Sequence, residues 1–180
     1  MKRKLILFFI TFILLIVYAL IKIFITGMSN EGRMKVFLPQ IQSYLETEIT
    51  KDYSGEPYVR GKIVTIDTGT KTVDSQTYLG LSDVLKAEKP QEVGTVLLIE
   101  WFREKEGYYT DEKTGQVIGD AYRGFAKVSI VDWLDKVLVE ERIFEGEALP
   151  EKVYVAGTDD YKNAYPVFTV LKYLENLPKR

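Results

Sequence analysis

Three pairs of carboxylates are the side chains of this sequence with the type and spacing for acid–base chemistry. They are Asp111 with Glu112, Asp132 with Asp135, and Asp159 with Asp160. Two carboxyl groups that face each other across a cleft hydrolyse glycosidic bonds in many enzymes. Each pair lies in a turn-like segment, however, where Asp is common because its side chain accepts hydrogen bonds from nearby backbone N–H groups. We therefore interpret the pairs as turn residues, and the catalytic residues, if any, are unknown.

The absence of cysteine and histidine excludes most other catalytic and metal chemistry. The 180-residue chain contains neither residue, so it has no thiolate nucleophile, disulfide, imidazole base or ordinary zinc site. The phosphate-binding patterns G-x-x-x-x-G-K-[ST] and G-x-G-x-x-G are absent as well. Residues 157–163 are rich in oxygen ligands but lack the spacing of a calcium loop. We expect no cofactor and no bound metal.

Tyrosine is the remaining signal of function. Eleven of the 12 tyrosines lie outside the first 26 residues. Because Tyr offers a rigid apolar ring with a polar tip, clusters of it are typical of binding surfaces. We predict a partner-binding surface that includes Tyr108, Tyr109, Asp111, Tyr122 and Tyr161. The alternative is that the rings pack half-buried on a sheet, since Tyr is also a good strand former.

An apolar segment near the N-terminus predicts a membrane anchor. Residues 5–25 carry a single charge, Lys22, and follow the basic cluster Lys2, Arg3 and Lys4. A helix of this length spans roughly 31 Å, close to the ~30 Å hydrocarbon core of a bilayer. Because no small-residue cleavage site follows, we interpret the segment as an uncleaved signal anchor, in preference to a signal peptide or a buried soluble helix. Its expected partner is the lipid bilayer.

The distribution of charge predicts the sidedness of the chain. Basic residues ahead of the apolar segment favour a cytoplasmic N-terminus and an extracytoplasmic domain. Residues 27–180 carry 20 basic and 26 acidic side chains, with no basic stripe among them. We therefore expect no nucleic-acid partner, and instead a membrane or envelope protein.

Hydrophobic periodicity predicts an α+β fold, in which an N-terminal transmembrane helix precedes a mostly antiparallel β-sheet domain with a packed C-terminal amphipathic helix. We place the cytoplasmic tip and anchor at 1–26, a linker with an amphipathic helix over 34–49 at 27–57, and the β-rich domain at 58–180. The predicted strands are 58–67, 73–79, 94–102, 107–111, 122–130 and 137–147. Residues 81–87 predict one or two helical turns, and 167–177 have the spacing of the C-terminal helix.

Six short motifs follow one another in order along residues 58–178. They are 60–62 (RGK), 90–96 (PQEVGTV), 107–111 (GYYTD), 121–123 (AYR), 144–146 (FEG) and 173–178 (YLENLP). In this order they resemble a family of uncharacterised domains that often follow a single membrane span. The chain departs from the family pattern at residues 112–118 (EKTGQVI), where a shorter glycine turn is expected. The resemblance implies the domain boundary and implies no activity.

Together these observations predict a single-pass, membrane-anchored binding or assembly module displayed at the cell envelope, and they favour a protein that is not an enzyme. Two alternatives remain open. One is a carboxylate-dependent hydrolase of an envelope polymer. The other is a cytoplasm-facing accessory subunit of a membrane complex.

Overall fold

The computed structural model describes residues 12–13, 15–18, 30–49, 53–151 and 161–180. The chain divides into two compact units, Met1–Val36 and Phe37–Arg180. In the first unit, residues 12–13, 15–18 and 30–35 are helical. Among the described residues, no helix is long and apolar enough to cross a membrane. Most of the span predicted at 5–25 lies outside those residues, so the anchor stays a prediction.

The amphipathic helix predicted over 34–49 is divided at Pro39. This proline lies in a short 3-10 helix, Leu38–Gln40, which leads into helix α1 (Ile41–Glu46). Proline has no N–H donor and disfavours the interior of a helix, so the earlier helical turn at 30–35 cannot continue through it. Phe37, Ile41 and Tyr44 are buried, and the compact unit therefore begins inside the predicted linker.

A six-stranded sheet lies at the centre of the second unit, counted over its described residues. The strands are β1 (Lys62–Asp67), β2 (Thr72–Val73), β3 (Val93–Thr110), β4 (Val117–Asp132), β5 (Val137–Glu145) and β6 (Tyr161–Lys162). Their order is β2-β1-β3-β4-β5. β5 pairs with residues 125–132 of β4, and β6 pairs with residues 121–122 of the same strand. All pairs are antiparallel except β1–β3 and β4–β6.

The prediction of a strand over 73–79 is wrong beyond Val73. The side chain of Asp74 accepts a hydrogen bond from the Thr77 N–H, and it thereby caps helix α2 (Ser75–Gly80). Of the one or two helical turns predicted over 81–87, a single turn forms, in which the N–H groups of Leu85 and Lys86 donate to the carbonyl of Ser82. Lys86 then forms a bridge with Ile63. A 3-10 helix at Pro90–Glu92 completes the crossover from β1 to the parallel strand β3.

The C-terminal helix α3 (Val167–Asn176) closes the core, as predicted. Its buried Val170 and Leu174 belong to an apolar cluster that includes sheet residues Leu97, Ile99 and Val128. Leu171 packs on the same cluster and lies against Gly80 of α2. We call this side of the sheet the helix face. The structure thus confirms an α+β fold with a mostly antiparallel sheet and a packed C-terminal helix.

The opposite side of the sheet is buried as well at one end. Val64, Ile66, Val96 and Val131, which alternate with the helix-face residues along their strands, are all 0–1% exposed. Two aromatic contacts join the N-terminal segment to the rest of the unit: Phe37 with Tyr78, and Tyr44 with Trp133. Both sides of this part of the sheet therefore contribute to the core, as expected for a strand as apolar as the first half of β3.

Candidate binding surface

The hairpin of β3 and β4 continues well past the helices. β3 has 18 residues, a length of roughly 60 Å at ~3.3 Å per residue. We call its outer part, residues 103–124, the arm. The strands predicted at 94–102 and 107–111 are one strand here, interrupted by a bulge between Lys105 and Gly107. Because side chains alternate along each strand, the arm presents two separate surfaces.

Tyr109 and Tyr161 meet on the side opposite the helix face. Their rings form an edge-to-face pair with centroids 5.7 Å apart. The Tyr109 hydroxyl donates to the carbonyl of Pro150 at 2.7 Å, so the pair also fastens the connection after β5 to the arm. Burial, and then the nearby Tyr161, raises the pKa of Tyr109. The structure brings these two predicted residues together, with a contact that serves to hold a loop.

Tyr108 and Tyr122 lie on the helix face of the arm. Tyr108 pairs in register with Asp120, and Tyr122 pairs with Lys105. The carboxylate of Asp120 and the ammonium of Lys105 form an ion pair at 2.7 Å on this face. Tyr108 is 62% exposed, so it is open to a partner. The predicted tyrosines are therefore divided between the two sides of the arm.

Asp111 shapes the turn at the tip of the arm. Its Oδ1 accepts hydrogen bonds from the N–H groups of Lys113 and Thr114, at 3.0 and 2.7 Å. Hydrogen bonds from Thr114, followed by that from Lys113, lower the pKa of the carboxyl group. Gly115 has a φ of +69°, which only glycine adopts readily, and it completes the reversal. Asp111 thus has the turn role expected of an Asp in such a segment.

The sequence prediction missed a cluster next to Tyr122 on the helix face. Trp101 and Tyr165 pack with ring centroids 5.1 Å apart. The guanidinium of Arg103 lies 4.0 Å from the centre of the Tyr165 ring, and its Nη1 donates to the Tyr165 hydroxyl at 2.6 Å. Side chains alternate along β3, so the sequence could have predicted that Trp101 and Arg103 lie on the same side of the sheet. The position of Tyr165 was not, because it lies outside the predicted elements.

Two glycines let this part of the chain approach the sheet. A Cβ at Gly124 would lie 2.9 Å from the carbonyl oxygen of Ala164, and a Cβ at Gly146 would lie at the same distance from that oxygen. We call residues 161–166, which cross the sheet here, the strap. The Asn163 N–H donates to the carbonyl of Tyr122, and the Asn163 side chain donates to that of Glu147. The strap thus brings Tyr165 onto Trp101 and Arg103.

The carboxylate pair Asp132 and Asp135 forms a structural ion-pair network with Arg60. The side chain of Asp132 is fully buried and accepts hydrogen bonds from the Tyr58 hydroxyl at 2.7 Å, from Arg60 at 3.2 Å, and from the N–H groups of Leu134 and Asp135. Asp135 binds the same guanidinium at 2.5 Å and is 60% exposed. The two carboxylates therefore both bind one arginine.

These contacts shift two pKa values in opposite directions. Burial acts to raise the pKa of Asp132, but the hydrogen bonds from Tyr58, the Asp135 backbone and Arg60, with the charge of Arg60, keep it below its ordinary value. Burial, followed by the hydrogen bond to Asp132, raises the pKa of Tyr58 to about 12. At neutral pH a phenol therefore donates to a buried carboxylate, and both groups are fixed in a single protonation state.

No metal centre is evident in the part of the chain that the structure describes, where no three acidic side chains are grouped to hold an ion. Asp159 and Asp160, and most of residues 157–163, lie outside the described residues. No family model matches this chain, and comparisons with curated proteins and with solved structures found no match. The resemblance of the six motifs to a family of anchored domains therefore stays a prediction.

Proposed function

We propose that the chain is a single-pass, membrane-anchored binding module displayed at the cell envelope, and that the helix face of its arm binds a partner protein. One observation carries the proposal. Trp101, Arg103, Tyr108 and Tyr122 share one face of one hairpin. Tyr165 of the strap packs on Trp101 and Arg103 at that face. Trp, Tyr and Arg are the residue types that most often dominate the binding energy of protein interfaces.

The membrane part of the proposal is supported by four consecutive residues in the apolar N-terminal segment. Leu15, Ile16, Val17 and Tyr18 are helical, and each is 45–64% exposed. Four successive residues of an α-helix point in all directions around its axis. An amphipathic helix of a soluble protein would bury one side, whereas a helix with apolar side chains exposed on every side is typical of a membrane span.

The chemistry of the arm suggests the kind of surface that it binds. The exposed aromatic edge of Tyr108 offers apolar area, while Arg103, stacked on Tyr165, offers fixed donors for a carboxylate or a carbonyl. Because the stacking already orders the guanidinium, little side-chain entropy is lost on binding. A protein surface with an apolar depression beside an acidic or carbonyl-rich rim is the expected partner.

Photocrosslinking in membranes tests the proposal. A benzoylphenylalanine at Tyr108 should crosslink a partner protein, and the charge-removing substitution Arg103→Ala should lower the yield at least several-fold, because the ordered guanidinium is lost. The matched control places the same crosslinker at Val117, which is equally exposed but belongs to the tip of the arm. Equal yields from the two positions, or a yield unaffected by Arg103→Ala, would contradict a specific role for the helix face.

A further inference from the structure

The end of the sheet opposite the arm is contacted by helix α1, near the start of the second unit. Residues 60–62, 93–95, 132–137 and 178–180 meet there, and we call this region the basal end. The Trp133 N–H donates to the carbonyl of Gly94, and the Arg180 N–H donates to that of Val59. Helix α1, which begins four residues after the start of the unit, packs Tyr44 edge-to-face on Trp133 with centroids 4.7 Å apart. Helix α1, near the start of the second unit, thus packs on the basal end.

The chain that connects the predicted span to Phe37 is short. Eleven residues, 26–36, separate the predicted span from Phe37, and six of them, 30–35, are helical. At ~1.5 Å per helical residue and ~3.5 Å per extended residue, they reach at most about 27 Å. β3 alone is about twice as long. The connection between the predicted span and the second unit is therefore short compared with the sheet.

The basal end has the side chains of a membrane interface. Leu134 is 62% exposed at the centre of the β4–β5 turn. Beside it, the ammonium of Lys136 lies over the ring of Trp133. Tryptophan, lysine and exposed leucine are typical of the interface between a membrane and water. The ring and the aliphatic groups contact the acyl chains, and the cation binds the lipid phosphates.

Charge favours the same orientation. Residues 37–180 carry 18 basic and 25 acidic side chains, yet the basal end is net basic. Its carboxylates, Asp132 and Asp135, both bind Arg60, and the neighbouring Glu92 binds Lys62. The side chains of Lys136, Lys179 and Arg180 are also basic, so basic side chains outnumber acidic ones at this end. An acidic domain with one basic end is attracted to an anionic surface through that end.

We infer that the basal end docks on an anionic bilayer, with Trp133 and Leu134 among the headgroups and the arm directed away from the membrane. This inference rests on the proposed membrane anchor. The occupant is the lipid surface itself, so docking requires no protein partner and would occur in vesicles of pure lipid.

Spin labelling of the full chain in vesicles tests the inference. The chain has no cysteine, so Leu134→Cys and Val117→Cys each give a single labelling site. These positions are matched in exposure, at 62% and 60%. Val117 is the first residue of β4, and Leu134 lies in the turn after its last residue. In vesicles of phosphatidylcholine with phosphatidylglycerol, the label at 134 should be relaxed strongly by oxygen and weakly by a water-soluble nickel chelate. The label at 117 should show the reverse.

Separate results would overturn the inference and the proposed function. Failure of the labelled chain to float with vesicles would contradict the anchor. Flotation with equal, water-like relaxation at 134 and 117 would retain the anchor and overturn the docking of the basal end. Strong spin–spin broadening at 134 without lipid exposure would indicate a second copy of the chain at this end, and would overturn it too. Omission of phosphatidylglycerol should reduce the lipid exposure at 134, since the attraction is electrostatic.

Discussion

At the scale of single residues, Asp132 is the polar group on which the basal end most depends. It is a buried carboxylate that accepts hydrogen bonds from a phenol, a guanidinium and two backbone N–H groups. If this carboxylate is removed, the buried donors lose their acceptor. The resulting loss of stability is larger than the net stabilisation that the hydrogen bonds themselves provide. Its neighbour Asp135 binds the same arginine but remains in water, so the two carboxylates provide an internal comparison.

We expect Asp132→Asn to lower the free energy of unfolding by about 2–4 kcal/mol, because a buried charged acceptor is lost. Asp135→Asn, the matched exposed control, should cost less than about 1 kcal/mol. Urea unfolding followed by circular dichroism measures both. A loss no greater for Asp132 than for Asp135 would contradict the structural role of the buried carboxylate.

The Asp132 carboxylate should also make the free energy of unfolding depend on pH. The folded state holds the pKa of Asp132 below its ordinary value, so its contribution is present above about pH 4, the unfolded value, and is lost as the pH falls through the lower folded pKa. The slope of stability against pH in that acidic range should accordingly be shallower in the Asp132→Asn variant.

At the scale of elements, the strap depends on the absence of a side chain at Gly124. An alanine there would place its Cβ 2.9 Å from the Ala164 carbonyl oxygen and 3.1 Å from the Tyr165 ring. We expect Gly124→Ala to lower stability by about 1–3 kcal/mol through overpacking. It should also speed hydrogen exchange of the Asn163 N–H, which donates to Tyr122 beside this site.

Gly107 provides the control for this substitution, because a Cβ at that position meets no atom within 4 Å. Gly107→Ala should leave the Asn163 amide protected. Equal exchange rates for Asn163 in the two variants would show that the strap is not held by close approach to Gly124.

The elements also show what the sequence could predict. The C-terminal helix and the first half of β3 were predictable, because the helix carries a clear apolar period and the strand is a nearly continuous apolar run. Residues 75–79 were not, because Thr, Tyr and Leu suit a strand and only the cap by Asp74 selects the helix. The parallel pairing of β1 with β3 and the crossing of the strap depend on contacts between residues far apart in sequence, which local patterns do not encode.

The candidate binding surface was predicted only in part. The tyrosines were identified by type, and Tyr108 is as exposed as a binding residue should be. Their division between two sides depends on the bulge at Glu106, which shifts the alternation by one residue. Without that register, no pattern in the sequence separates Tyr109 and Tyr161 from Tyr108 and Tyr122.

At the scale of the whole molecule, the second unit has its own core and should fold alone. A truncated chain of residues 37–180 is expected to unfold in one cooperative transition, because both sides of the sheet are covered by residues of that unit. It should not float with neutral vesicles, whereas the full chain should. A truncated chain that is unfolded would contradict the boundary at Phe37, and one that floats as well as the full chain would contradict the anchor.

The pairing of residues 178–180 with residues 59–61 has a consequence for the order of folding. Residues 178–180 donate to and accept from residues 59–61, so the segment that leads into β1 is held by residues far later in the sequence. Contacts between residues far apart in sequence form more slowly than local contacts. This pairing should therefore close the basal end late in folding, after the hairpin of β3 and β4 has formed.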